Sequence, residues 1–228
     1  MIRALLLDAA GTLIEPAESV ADVYTRIATA HGIAAQADRV RQAFGPAFAA
    51  MPDPDYPAHS DGDAAERIWW RSLVTIVLRR SLPDTATGDL AEDTLESCFH
   101  ALFHHYAQPD AWLVFPEVRE VLHAAREAGL RLTVVSNFDL RLHAILAGHD
   151  LHFDAVITSA DARARKPRPE IFHLALRLLD LPPEAVHHAG DSPHADLKGA
   201  AALGIPATLI HRPGNDLRAL LPITSSLT

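Results

Sequence analysis

The stretch Met1-Ile-Arg-Ala-Leu-Leu-Leu-Asp8-Ala-Ala-Gly-Thr12 decides how the rest of the chain is read. Ile2 to Leu7 is an almost unbroken apolar run, as expected of a strand buried on both faces, and Asp8-Ala-Ala-Gly11 stops it. Further strands are predicted at Leu132–Ser136, Ala155–Thr158, Ala185–Ala189 and Ala207–Ile210. Helical periodicity fills the gaps, at Pro116–Gly129, Leu140–Ala147, Glu170–Leu179 and His194–Leu203. Strands alternating with short helices predict an α/β fold with a mostly parallel sheet covered on both faces.

One long interruption follows the first strand. From Ala17 to Gln108 the pattern is helical throughout. Val20, Val23, Tyr24, Ile27 and Ala28 share one helix face, and Gly32 ends that helix. Further helices are predicted over Ala37–Met51, Ala64–Arg80 and Glu92–Tyr106. The third should bury Ile68, Trp69, Leu73, Ile76 and Val77. Pro52–Pro57, Asp61-Gly62-Asp63 and Pro83–Asp89 read as breaks between them. The expected organisation is a core over residues 1–14 and 111–228, with a helical insertion over 15–110. An insertion at a strand exit can serve as a lid. The tail from Leu217 mixes apolar residues with proline and serine, and no role follows from that pattern.

Composition excludes several function classes. The chain has 228 residues and a formal net charge of -9, with no cluster of Lys and Arg for nucleic acid. No apolar segment has the length of a membrane span, and the first strand is too short for a signal peptide. A cytoplasmic protein, monomeric or homodimeric, acting on a small molecule is the expectation. The lone cysteine, Cys98, lies in a helical pattern and reads as a buried apolar side chain. Of the 14 histidines, His104-His105 and His187-His188 are adjacent pairs, which face different ways on a helix or strand and do not chelate. His194 reads as a solvated residue at a helix start.

The strand exits carry the chemistry. Asp8, Ser136-Asn137, Ser159-Ala-Asp161 and Gly190-Asp191 all follow apolar strands, and ligands of such sheets bind beyond the carboxyl ends. Asp8 can act as a carboxylate nucleophile, with Gly11 allowing a tight turn and Thr12 offering a hydroxyl. Read alone, the same fragment is equally a strand-ending turn. Ser136 can donate to a phosphoryl oxygen while Asn137 orients the site, or both can be capping residues. Lys166, one of only two lysines, can neutralise a phosphate and hold Asp8 as its anion, or can be an ordinary surface residue. Asp191 can bind Mg²⁺, with Asp8 supplying another oxygen, while Asp196 binds a metal-bound water or braces Lys166. Acids in the first turn of a helix are the bland reading of that fragment.

In this order, the four fragments resemble the motifs of the haloacid dehalogenase-like hydrolase superfamily. Its first motif, Asp-x-Asp-Gly-Thr, corresponds to Asp8-Ala-Ala-Gly-Thr12, and its later motifs to Ser136, Lys166 and Gly190-Asp191 through Asp196. Val135-Ser-Asn-Phe-Asp139, Lys166-Pro-Arg-Pro-Glu-Ile-Phe172 and Trp69-Trp70 are similar to the group within it called domain-containing protein 3. The resemblance spans almost the whole chain. It implies a Rossmann-like core with a four-helix cap and Mg²⁺-dependent hydrolysis of a small phosphate ester through an aspartyl-phosphate on Asp8. It also implies that Asp8, Asp191 and the Ala10 backbone carbonyl hold the metal.

One position departs from the pattern. Superfamily phosphatases use the second aspartate of the first motif as general acid and base, and here it is Ala10. A catalytically weakened homologue that binds phosphate or a partner is therefore a second expectation. The branch that cleaves phosphonoacetaldehyde also has alanine there, but needs a cap lysine, and none lies between Ala17 and Gln108. Metal-independent 2-haloacid dehalogenases are a third alternative. They would need a cap arginine, for which Arg39 or Arg41 can be offered, and their fourth motif usually reads Ser-x-Asn.

Overall fold

The computed structural model describes residues 1–58, 61–84 and 90–225. The chain opens with β1 (Ala4–Leu7) and β2 (Ile14–Pro16), then runs through helices α1 (Val20–Ala30), α2 (Ala37–Ala50), α3 (Gly62–Arg80) and α4 (Glu92–His105). It returns through β3 (Trp112–Val114) and continues as α5 (Val118–Glu127), β4 (Arg131–Ser136), α6 (Arg141–Gly148) and β5 (Ala155–Thr158). There follow α7 (Ser159–Ala162), α8 (Pro169–Leu179), β6 (Val186–Gly190), α9 (Gly199–Ala201), β7 (Ala207–Leu209) and α10 (Leu221–Ser225).

Five strands form a parallel sheet in the order β5-β4-β1-β6-β7. Its central strand is β1, and all four of its residues are fully buried. Each buried leucine contributes about 1.5–3 kcal/mol relative to exposure. On one face Ala4 and Leu6 pack with Val135, Ile157, Ile171 and Phe172. The register aligns Leu7 with Val134 on one side and with Ala189 on the other. Asp8 therefore leaves the sheet between the exits of β4 and β6. The strand order reverses there, which is where sheets of this kind leave a crevice.

The chain divides into two compact units. One comprises Met1–Glu15, Asp61–Asp63 and the described chain from Leu113 onward; the other comprises the described residues of Pro16–Ser60 and Ala64–Trp112. The second unit has its own core of Tyr24, Trp69, Leu73, Val77, Leu95, Cys98, Phe99 and Leu102. No helix among the described residues is long and apolar enough to cross a membrane.

The structure departs from the sequence expectation in four places, and one further expectation falls largely outside the described residues. Ile68 is 66% exposed, because the buried stripe of α3 runs through Trp69, Leu73 and Val77 at four-residue steps, and Ile68 lies about 100° around the helix from Trp69. Asp61-Gly62-Asp63 is not wholly a loop: α3 starts at Gly62. Of the break expected over Pro83–Asp89, residues 85–89 lie outside the described residues. The helix expected over His194–Leu203 is a π-helical turn over Pro193–Lys198 running into the short α9. The tail contributes to the core: Leu217 and Leu220 are fully buried, and α10 packs against α5.

Candidate active site

The exit of β1 is a tight turn. The amides of Thr12, Leu13 and Ile14 all point at the Ala9 carbonyl, at 3.2, 2.7 and 3.0 Å. None of the described backbone bonds of this turn ends on the Ala10 carbonyl. Gly11 has φ +85°, and a Cβ there would sit 2.3 Å from Oδ2 of Asp191. Glycine is thus required twice, for backbone conformation and for the approach of an acid from β6. Thr12 is fully buried, and its hydroxyl has no hydrogen-bond partner among the described residues.

Lys166 reaches this turn from the segment after α7. Its ammonium lies 2.7 Å from Oδ1 of Asp8 and 2.6 Å from Oδ1 of Asp196, and all three side chains are buried. Asn137, just past β4, holds the lysine backbone on both sides. It accepts from the Lys166 amide at 2.6 Å and donates to the Lys166 carbonyl at 3.0 Å. Ser136 is buried at the end of β4, beside β1 in the sheet. Asp196 is turned inward by the π-helical turn. Its Oδ2 accepts the Ser192 amide at 2.9 Å, and Ser192 caps the same turn through Ala195. Widened turns of this kind often occur at functional sites. Gly190 makes room for it, since a Cβ there would lie 2.1 Å from the Asp196 carboxyl carbon.

Asp8, Asp191 and Asp196 offer oxygens that all lie within 4.8 Å of one another. One ammonium faces three carboxylates. Burial, above all, raises the Asp8 pKa; Lys166 opposes this and Asp196 adds to it. Asp191 is exposed, yet desolvation and then Asp196 raise it too. Burial would also raise Asp196, but Lys166 and His188 outweigh it and hold Asp196 below the usual carboxylate range. Burial would lower Lys166, but the two carboxylates keep it above its ordinary value. The excess of negative charge and the three gathered carboxylates fit a hard divalent cation.

The structure therefore brings together Asp8, Lys166, Asp191 and Asp196, with Asn137 bracing Lys166 from behind. It also places His188 and Arg212, two residues for which the sequence carried no such expectation. His188 Nε2 lies 2.9 Å from Asp196 Oδ1, and Arg212 donates to the Thr12 carbonyl at 3.0 Å. A histidine inside an apolar strand was the one signal for the first; the second contact spans 200 positions and left none. His194 is exposed. In the helical unit, Arg39 is paired with Asp84 at 2.8 Å and Arg41 with Asp38 at 2.5 Å.

The sequence profile described as "Hydrolase: haloacid dehalogenase-like hydrolase" matches residues 2–204. The bovine (Bos taurus) haloacid dehalogenase-like hydrolase domain-containing protein 3 is 36% identical over 217 residues, covering 93% of this chain and 83% of its own length. A HAD phosphatase from Thermococcus onnurineus superposes with a TM-score of 0.63 at 25% identity, over 94% of this chain and 88% of that one. The L-2-haloacid dehalogenase from Xanthobacter autotrophicus shares the fold at 24% identity and a TM-score of 0.61, over 100% and 85%.

Proposed function

The chain belongs to the haloacid dehalogenase-like hydrolase family, and we propose that within it this chain is a Mg²⁺-dependent hydrolase of a small phosphorylated metabolite. The observation that carries this reading is the buried Asp8–Lys166–Asp196 cluster with Asp191 alongside, three carboxylates against one ammonium. Asp8 is the nucleophile. It attacks phosphorus, the alcohol or acid leaves, and water then releases phosphate from the aspartyl-phosphate. Lys166 neutralises charge on the phosphoryl oxygens, and Asn137 holds the lysine backbone to that task. Ser136 and Thr12 are assigned as hydroxyl donors to the same group. Asp8, Asp191 and the Ala10 carbonyl would hold Mg²⁺, which when bound offsets the negative charge of substrate and carboxylates. Asp196 braces Lys166. The helical unit is assigned the role of a cap that selects the substrate.

Ala10 limits the substrate. A missing general acid and base typically costs about 10² to 10⁴ in rate. A leaving group that departs without a proton avoids the acid's share of that loss. A panel of phosphate esters and anhydrides with graded leaving-group acidity, assayed with Mg²⁺, tests the proposal. Phosphate release should rise with leaving-group acidity and vanish in Asp8→Asn. No release above that variant from any member would reject the proposal.

Ala10 also motivates the second reading, a weakened homologue that binds phosphate or a partner. That reading gains if Ala10→Asp creates strong phosphatase activity where the parent has almost none. Efficient turnover by the parent removes it. The dehalogenase alternative has less support: Arg39 and Arg41 are paired with neighbouring acids, and Asp191 adds a third carboxylate that carbon chemistry does not need. Metal-independent halide release from 2-chloropropionate would restore it.

A further inference from the structure

The two histidines of β6 face opposite ways. His187 lies 2.8 Å from the Thr208 hydroxyl on the neighbouring strand. His188 is fully buried, its ring edge-on to Phe172 with centroids 5.2 Å apart. Its Nε2 meets Asp196 Oδ1 at 2.9 Å, and its Nδ1 is buried without a hydrogen-bond partner among the described residues. Asp196 Oδ1 is also the oxygen that accepts from Lys166, which in turn meets Asp8. The groups form a continuous buried chain, His188–Asp196–Lys166–Asp8. Nothing in the proposed chemistry uses the histidine.

We infer that His188 is a positioning residue, which donates through Nε2–H to Asp196 and so fixes the carboxylate that aims Lys166 at Asp8. This rests on the proposed reading for its catalytic consequence, but not for its geometry. The tautomer follows from the surroundings. An Nδ1–H tautomer would bury a donor without an acceptor and set a bare Nε2 against a carboxylate. An imidazolium would add a second buried cation and still leave Nδ1–H unpaired. The Nε2–H form leaves only a bare acceptor. Asp196 then receives three donors on two oxygens: Lys166 and His188 on Oδ1, and the Ser192 amide on Oδ2. Rotating the carboxylate would break all three. That matters because lysine carries its charge on a flexible four-carbon stem and does not hold direction by itself.

Two measurements on the whole protein test the inference without any substrate. Nitrogen NMR of ¹⁵N-histidine protein, with His188 assigned by its loss in His188→Gln, should show the Nε2–H tautomer. The Nδ1–H tautomer or an averaged mixture would overturn the inference. Lysine side-chain NMR is simple here, because Lys166 and Lys198 are the only two. The Lys166 ammonium protons should exchange slowly with water. His188→Leu should speed that exchange about tenfold or more, and His188→Gln, which keeps an N–H donor, should reverse most of the change. Unchanged exchange in a folded His188→Leu variant would overturn the inference; if that variant does not fold, the wild-type tautomer decides.

Kinetics with para-nitrophenyl phosphate and Mg²⁺ add the catalytic arm. His188→Leu should lower kcat about tenfold with little change in KM, and His188→Gln should restore it. A wild-type kcat in His188→Leu would overturn the positioning role. If the parent protein itself releases no phosphate, the hydrolase reading fails, and the two NMR measurements still decide this inference.

Discussion

At the scale of single residues, the site is an arrangement of charges that no member tolerates alone. Asp196 shows this most directly. Burial pushes its carboxyl up, while Lys166 and His188 pull it further down, so its folded pKa lies below that of an unfolded aspartate. Its contribution to stability is complete above the unfolded value of about 3.9 and is lost as pH falls through the lower folded value. Asp8 works in the opposite sense, because burial raises it and its folded form takes up a proton first. Asp196→Asn should therefore be less stable than wild type at neutral pH, and the gap should narrow below about pH 4. Urea unfolding across that range measures it, and a constant gap would contradict the assignment. Cys98 offers an independent check on burial. Its thiol is pushed up to about 11 by desolvation, so it should resist a thiol reagent at pH 8 until the protein is unfolded. Rapid native-state labelling would contradict that.

At the scale of elements, the motif turn after β1 is held from two sides. Lys166 grips Asp8 on one side. On the other, Arg212 donates to the Thr12 carbonyl and to Glu117 at 2.5 Å, with its guanidinium 3.6 Å above the Phe115 ring. Phe115 donates its amide to the Leu13 carbonyl at 3.1 Å. The segment after β7 is thus a clamp on the turn that carries Asp8. Arg212→Met should lower stability by about 1–3 kcal/mol, because it leaves Glu117 buried without its cation. The double variant Arg212→Met with Glu117→Gln should recover part of that loss. A single-variant cost under about 0.5 kcal/mol in urea unfolding would contradict the clamp.

The same scale separates what could be read in the sequence from what could not. Most of the five sheet strands were legible as apolar runs closed by a polar residue, as in Leu132–Ser136 and Ala155–Thr158. The ribbon of β2 and β3 was not, because three residues apiece carry no period. The π-helical turn was hidden because its widening depends on Asp196 turning inward to a lysine 30 positions away. Asp8 and Asp191 were legible as acids at strand exits, Lys166 as one of two lysines and placed before a helix, and Asp196 as an acid at a helix start. His188 was not, since alternation along a strand assigns one histidine to each face without saying what either face meets. Arg212 was invisible for a similar reason, as its partners Thr12, Phe115 and Glu117 all lie more than 90 positions away in sequence.

At the scale of the whole molecule, the account turns on one missing carboxylate. In the proposed reaction, Ala10 stands where a second carboxylate would protonate the leaving atom and then activate water. With a leaving group that needs no proton, the first step is spared and the second is not. The phosphoryl group should then stay on Asp8 long enough to be seen. Rapid quenching of the protein with para-nitrophenyl phosphate or acetyl phosphate and Mg²⁺, followed by mass analysis of the peptide that contains Asp8, measures this directly. The account predicts a phosphoryl adduct on that peptide within the first turnover, absent without Mg²⁺ and absent in Asp8→Asn. Phosphate release with no adduct on Asp8, or an adduct that persists in Asp8→Asn, would contradict it.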